Sequence, residues 1–120
     1  MKTKQDKKSI SHLAGMMDAM GNEQRLRIVR ILLSSHPGGM VVGDIQAELG
    51  IPNSTLSHHL EKLKASGIVT VTRESQYLRY SANCPALQEL LTFLFAECCT
   101  RSSAVDPECC MPVNKWRNTP

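Results

Sequence analysis

Between Ser9 and Met20 the apolar residues Ile10, Leu13, Met16, Met17 and Met20 follow one another at steps of 3, 3, 1 and 3, one face of a helix. Gly21 interrupts that pattern, and Asn22 is a good N-cap for a second helix. From Glu23 to Ser35, the residues Leu26, Ile28, Val29, Ile31, Leu32 and Leu33 make an apolar face broad enough for a buried central helix. Arg25, Arg27 and Arg30 fall on other parts of its surface. His36-Pro37-Gly38-Gly39 reads as a turn, and Met40-Val41-Val42 as either a short strand or the entry to the next helix. That third helix is short, from about Gly43 to Leu49, with Gly50 as its C-cap. After Ile51-Pro52, Asn53 or Ser54 caps a fourth helix running to about Ser66, which buries Leu56, Leu60 and Leu63. The β-branched run Ile68–Arg73 predicts a strand, Glu74-Ser75-Gln76 a turn, and Tyr77–Ser81 the return strand of a hairpin. Asn83 or Cys84 caps a last helix with Pro85 in its first turn, running through Leu87, Leu90, Leu91, Phe93, Leu94 and Phe95 to about Cys99.

This pattern predicts a mainly α chain with one hairpin, divided into a polar, disordered arm (1–8), a folded domain (9–101) and a tail (102–120) with three prolines after Ser102. At 120 residues there is material for one modest core, and with only five aromatic residues that core is aliphatic. No apolar run approaches the roughly 20 residues of a membrane span, and no apolar segment backs the N-terminal lysines as in a secretory signal. The expected setting is therefore the reducing cytoplasm, with no membrane partner. There, five cysteines are expected to bind or react as thiols and not to form a disulfide framework.

Charge adds a direction. Residues 1–80 hold 11 Lys/Arg against 7 Asp/Glu, or +4, while residues 81–120 hold 3 against 4, or −1. A basic front becomes informative beside a DNA-reading element, and residues 43–66 have the proportions of a helix-turn-helix. Ile45, Leu49, Ile51, Leu56 and Leu60 would pack its two helices together, leaving Asn53, Ser54, Thr55, Ser57, His58 and Lys62 outside. Short amides and hydroxyls read base edges, and His or Lys meets phosphates. Of the adjacent His58 and His59, on different faces, one is expected toward DNA and the other toward protein; both are candidates. Arg73 and Arg79 on the hairpin are placed to reach the flanking backbone, which makes the whole a winged helix.

The runs GNEQRLRIVRILL, IPNSTLSHHLEKLKASGIV and TRESQYLRYSAN resemble, in that order, the second helix, recognition helix and wing of the arsenic-repressor (ArsR/SmtB) family. The resemblance covers roughly residues 10–97. It implies a five-helix winged helix-turn-helix and a homodimer formed through the first and last helices. Such a dimer binds an imperfect palindrome in double-stranded operator DNA and represses transcription. The apolar faces of the terminal helices, including Met16, Met20, Leu90 and Leu94, fit such a pairing.

Members of that family sense metals or metalloids at alternative places. One is a Cys-x-Cys pair before an Asp in the third helix; here Val41-Val42-Gly43 precede Asp44, so no thiol stands there. Another is a set of Asp, His and Glu ligands on the last helix, but residues 83–99 contain no His. What remains is Cys98-Cys99 at the end of that helix and Cys109-Cys110 in the tail. Thiolates select soft ions, so trivalent arsenic or antimony, inorganic or methylated, is the expected inducer, with no cofactor required. Adjacent residues on a regular helix project about 100° apart, so Cys98 and Cys99 converge only where the helix ends. The spacer to Cys109 and Cys110 is long enough to bring back a third thiolate. Cys84 stands alone at a helix start and reads as structural or incidental, with a reactive role left open by the helix dipole. Redox or persulfide chemistry at the same pairs, and a cadmium or zinc ligand, stay open as other signals. A thiol-rich metallochaperone or oxidoreductase would leave the helix-turn-helix unexplained. Catalysis is not expected, because the chain has no Cys-x-x-Cys, phosphate-binding loop or acid–base pair.

Overall fold

The structure, a computed structural model, describes residues 4–101, with side chains from Ile10 onward. Five helices and three strands follow one another among these residues. They are α1 (Lys4–Met20), α2 (Glu23–Ser34), β1 (Met40–Val41), α3 (Val42–Leu49), α4 (Asn53–Ala65), β2 (Val69–Glu74), β3 (Tyr77–Ala82) and α5 (Cys84–Ala96). The chain forms two compact units that divide between Ala86 and Leu87.

The first helix begins earlier than its apolar pattern does. The expected arm 1–8 is already helical from Lys4. Lys and Gln are good helix formers without an apolar face, Asp6 in the first turn suits the helix dipole, and no Gly or Pro interrupts before Gly15. Asn22 caps α2 as expected, its side chain accepting from the Arg25 backbone N–H at 3.0 Å.

The core of the first unit is aliphatic. It gathers Leu13 and Met16 of α1, Ile28, Val29 and Leu32 of α2, Ile45 of α3, and Leu56, Leu60 and Leu63 of α4. Ile51, Ile68 and Val69 join them, with Tyr80 and Ala82 from β3. Each fully buried side chain of this size contributes about 1.5–3 kcal/mol relative to exposure. The breadth expected for α2 is not realised: Leu26 and Leu33 lie on the outside, 53% and 43% exposed. Residues 26 and 33 are two turns apart and share a stripe at the edge of the buried face, beside Val29 and turned away from Ile28.

The three strands form one antiparallel sheet in the order β1-β3-β2. The hairpin turns at Ser75-Gln76 between the paired residues Glu74 and Tyr77, one residue tighter than the sequence suggests. Met40–Val41 is a strand after all, with Met40 opposite Tyr80 and Val41 opposite Arg79, and α3 begins directly at Val42. Gly39 permits this pairing. It has φ +75°, and a Cβ there would collide with the Tyr80 carbonyl and the Ser81 hydroxyl. Asn83 joins the sheet to α5: its side chain donates to the Gly67 carbonyl at 2.9 Å and accepts from the Ala86 N–H at 3.3 Å.

Candidate nucleic-acid interface and thiol site

Gly50 makes the corner of the helix-turn-helix. Its φ of +67° closes α3 through a 2.7 Å bond from its N–H to the Gln46 carbonyl. Ile45, Ile51, Leu56 and Leu60, buried together, fix the angle between the two helices, while Leu49 is half-buried. α4 then starts at Asn53 with Pro52 before it, and no side chain caps it. Neither Asn53 nor Ser54 takes the expected capping role. Asn53, Ser54, Thr55, Ser57, His58 and Lys62 are all exposed.

Buried Leu56, His59, Leu60 and Leu63 mark the inner side of α4. His59 is the exception among the expected DNA-facing residues, because it is 8% exposed and belongs to the protein interior. Residues 56, 59, 60 and 63 fall on one helical stripe, and a polar residue on that stripe must find an internal partner. The partner is Arg25, whose Nη1 stands 3.3 Å from His59 Nδ1. Burial, the Arg25 guanidinium and His58 together hold the His59 imidazole below its ordinary value of 6.5. The sequence marks Arg25 only as one of three surface arginines, and no spacing of charges signals an inward guanidinium. Glu61 carries no sequence signal either. It is exposed, and with His58 and Lys62 it borders a groove whose opposite wall is Gly15, Asp18 and Ala19 of α1.

The two wing arginines differ. Arg73 is exposed on β2. Arg79 braces the base of the wing: its Nε donates to Glu74 Oε1 at 2.9 Å, and its Nη1 to the Gly38 and Gly39 carbonyls at 3.4 and 3.3 Å. Such a half-exposed ion pair is worth at most about 1 kcal/mol. Its geometric effect is to hold β3 against the loop before β1.

At the other end of the chain, α5 stops at Ala96 and residues 97–101 form a turn. The Cys98 N–H donates to Phe95 O at 3.1 Å, and the Thr100 N–H to Glu97 O at 3.2 Å. Cys99 takes the left-handed conformation, φ +66°. The turn brings the Cys98 and Cys99 sulfurs to 3.5 Å from each other. Glu97, Thr100 and Arg101 line a shallow concavity with Cys99. Cys109 and Cys110 lie outside the described residues. No cluster of three or more His, Cys, Asp or Glu side chains suited to a metal occurs among the described residues. Cys84, at the start of α5, is half-buried.

A helix-turn-helix followed by the β2-β3 hairpin, with β1 from before α3 completing the sheet, is the architecture of a winged helix-turn-helix. Residues 20–72 match the family described as a helix-turn-helix domain. Over 78 residues the chain is 36% identical to the nodulation protein NolR of Rhizobium meliloti, a match covering 65% of this chain and 62% of NolR. It is 34% identical over 85 residues to the transcriptional activator HlyU of Vibrio cholerae, covering 68% of this chain and 76% of HlyU. The solved structure of that HlyU superposes with a TM-score of 0.59 at 32% identity, over 74% of this chain and 97% of HlyU. An ArsR-like regulator from Rhodococcus sp. RHA1 shares the fold, with a TM-score of 0.64 at 22% identity over 72% of this chain and 78% of that one. The chain belongs to the ArsR family of winged helix-turn-helix transcriptional regulators. Among the described residues no helix is long and apolar enough to cross a membrane.

Proposed function

We propose that this protein is a homodimeric repressor that leaves its operator when trivalent arsenic or antimony, inorganic or methylated, binds its C-terminal thiolates. The observation that carries the reading is the 3.5 Å separation of the Cys98 and Cys99 sulfurs at a left-handed turn. Two sulfurs on a tetrahedral zinc, with bonds of about 2.3 Å, stand about 3.8 Å apart. A pyramidal ion has smaller angles between its bonds and accepts a closer pair. Cys98 and Cys99 would supply two thiolates, enough for a methylated arsenical. An inorganic ion takes a third from Cys109 or Cys110. Because the thiols lose protons on binding, affinity for the ion falls as pH falls.

Asn53, Ser54, Thr55, Ser57 and His58 would enter the major groove, with Lys62 and Arg73 on phosphates. Exposed Ile10 and Met17 on α1, and Phe93, Leu94 and Phe95 on α5, support a second copy as partner for those helices. Met16 and Leu90 do not serve that contact directly, since both are already buried in the single chain.

The same adjacency of sulfurs favours one second reading, a thiol-redox or persulfide sensor. One experiment separates them: fluorescence anisotropy of a bound operator duplex, titrated in parallel with arsenite, methylarsenite, cadmium, zinc and peroxide. Wild type should release DNA to the arsenicals, and the Cys98→Ser/Cys99→Ser double variant should not. Release by peroxide alone would favour the redox sensor. Release of the double variant by arsenite would remove the assigned site. A promoter fusion then tests repression against activation.

A further inference from the structure

A single guanidinium ties three helices of the DNA-binding unit together. The Arg25 backbone N–H is fixed by the Asn22 cap at 3.0 Å. Its Nε donates to the Ala19 carbonyl at 2.6 Å. That carbonyl lies in the last turn of α1, where it has no partner within the helix. The other arm of the fork reaches His59 of α4. Guanidinium is planar and rigid, so fixing two of its nitrogens fixes the angle between what they hold.

We infer that Arg25 and His59 are positioning residues for DNA binding, which lock the recognition helix α4 to α1 so that the tilt of one is set by the other. This rests on the reading of α4 as the helix that enters the groove. His59 is flanked in sequence by exposed His58 on the groove-facing side and by buried Leu60. A shift at His59 therefore moves His58 and Lys62 with it, although neither Arg25 nor His59 touches DNA.

The link works in one protonation state. Arginine only donates, so His59 Nδ1 must accept, with the ring proton on Nε2. Protonation turns Nδ1 into a donor and sets one cation against another. The charges around His59 do not compensate. Arg25 faces it from α2, and His58 neighbours it on α4. On α1, Asp18 borders the groove beside His58, Glu61 and Lys62. β2 carries no ionisable side chain before Arg73.

The test uses His59→Asn, whose Oδ1 accepts at about the position of Nδ1 but does not titrate, with His59→Leu and Arg25→Lys. The probe is a duplex selected by wild-type protein from a randomised library. His59→Leu and Arg25→Lys should bind it about tenfold more weakly at neutral pH, and His59→Asn should restore wild-type affinity. As pH falls below 6.5, wild-type affinity should fall progressively relative to His59→Asn at each pH, a ratio in which the other histidines cancel. Nitrogen NMR of the free protein should show the Nε2–H tautomer at His59, independently of any DNA. Equal pH profiles for wild type and His59→Asn overturn the inference, as does an Nδ1–H tautomer. Wild-type protein that selects no duplex overturns the groove-entering assignment of α4 and the inference with it. Should His59→Leu fail to fold, the comparison of His59→Asn with wild type decides the question alone.

Discussion

The helix-turn-helix and the cysteine turn are held by different means. In the first, Ile45, Leu56 and Leu60 are sealed beneath α3 and α4, and the polar face above them is fixed by what lies below. In the second, residues 97–101 are held by bonds between near neighbours, from Phe95 to Cys98 and from Glu97 to Thr100. One surface is rigid because its foundation is buried. The other takes its shape from a turn in which near neighbours bond to one another. A reader of DNA needs the first kind of construction, and a sensor of small ions is served by the second.

The sharpest way to break this contrast is at the sulfurs. Cys98→Ser or Cys99→Ser should abolish arsenite-driven release while leaving DNA affinity in the absence of arsenite unchanged, as read by anisotropy. A loss of DNA binding in either variant would mean that the turn is part of the reading surface.

Truncating one leucine beneath the helix-turn-helix and one on α5, which leads into the cysteine turn, comes next. Leu60→Ala should lower unfolding stability by about 2–5 kcal/mol in urea, because it empties a buried site. Leu94→Ala removes a side chain that is 49% exposed. It should leave monomer stability within about 0.5 kcal/mol and weaken the dimer in sedimentation equilibrium.

Acid provides a third probe. His59 has a lowered pKa when folded, so between the folded and unfolded values the unfolded chain binds more protons. The stability contributed by this group is complete above the ordinary imidazole range and is lost as pH falls through 6.5 toward the folded value. Thermal melts should show that loss in wild type and a smaller one in His59→Asn. The smallest effect is expected from Lys62→Ala. It should weaken binding about equally for all sequences and reduce the salt slope by about 1, as a phosphate contact does. A change confined to one base position would instead make Lys62 a reader.

The same contrast governs what could be read in advance. The order of helices, the Gly50 corner and the wing were legible because burial imposes periods of 3.6 and 2 on the sequence. The outward polar set on α4 followed by subtraction from Leu56, Leu60 and Leu63. That one of His58 and His59 would face protein was expected; which one, and its partner, escaped because a polar residue in a buried stripe is decided by a group distant in sequence, here Arg25, thirty-four residues away. Arg79 escaped likewise, since carbonyls at Gly38 and Gly39 leave no mark on composition. Leu26 and Leu33 show the converse: apolar residues at helical spacing announce a face without saying what covers it. The convergence of Cys98 and Cys99 was expected at the helix end, but the left-handed φ that achieves it is a backbone choice with no residue signature.

That choice has an evolutionary side. A residue other than glycine in the left-handed region costs roughly 1–2 kcal/mol, and such strain persists where function holds it. At position 99 glycine would fold more comfortably than cysteine. In a population grown without any thiophilic inducer, Cys99→Gly should therefore accumulate among the earliest neutral or favoured changes. On the proposed reading, release by a thiophilic ion would then disappear while operator binding persists.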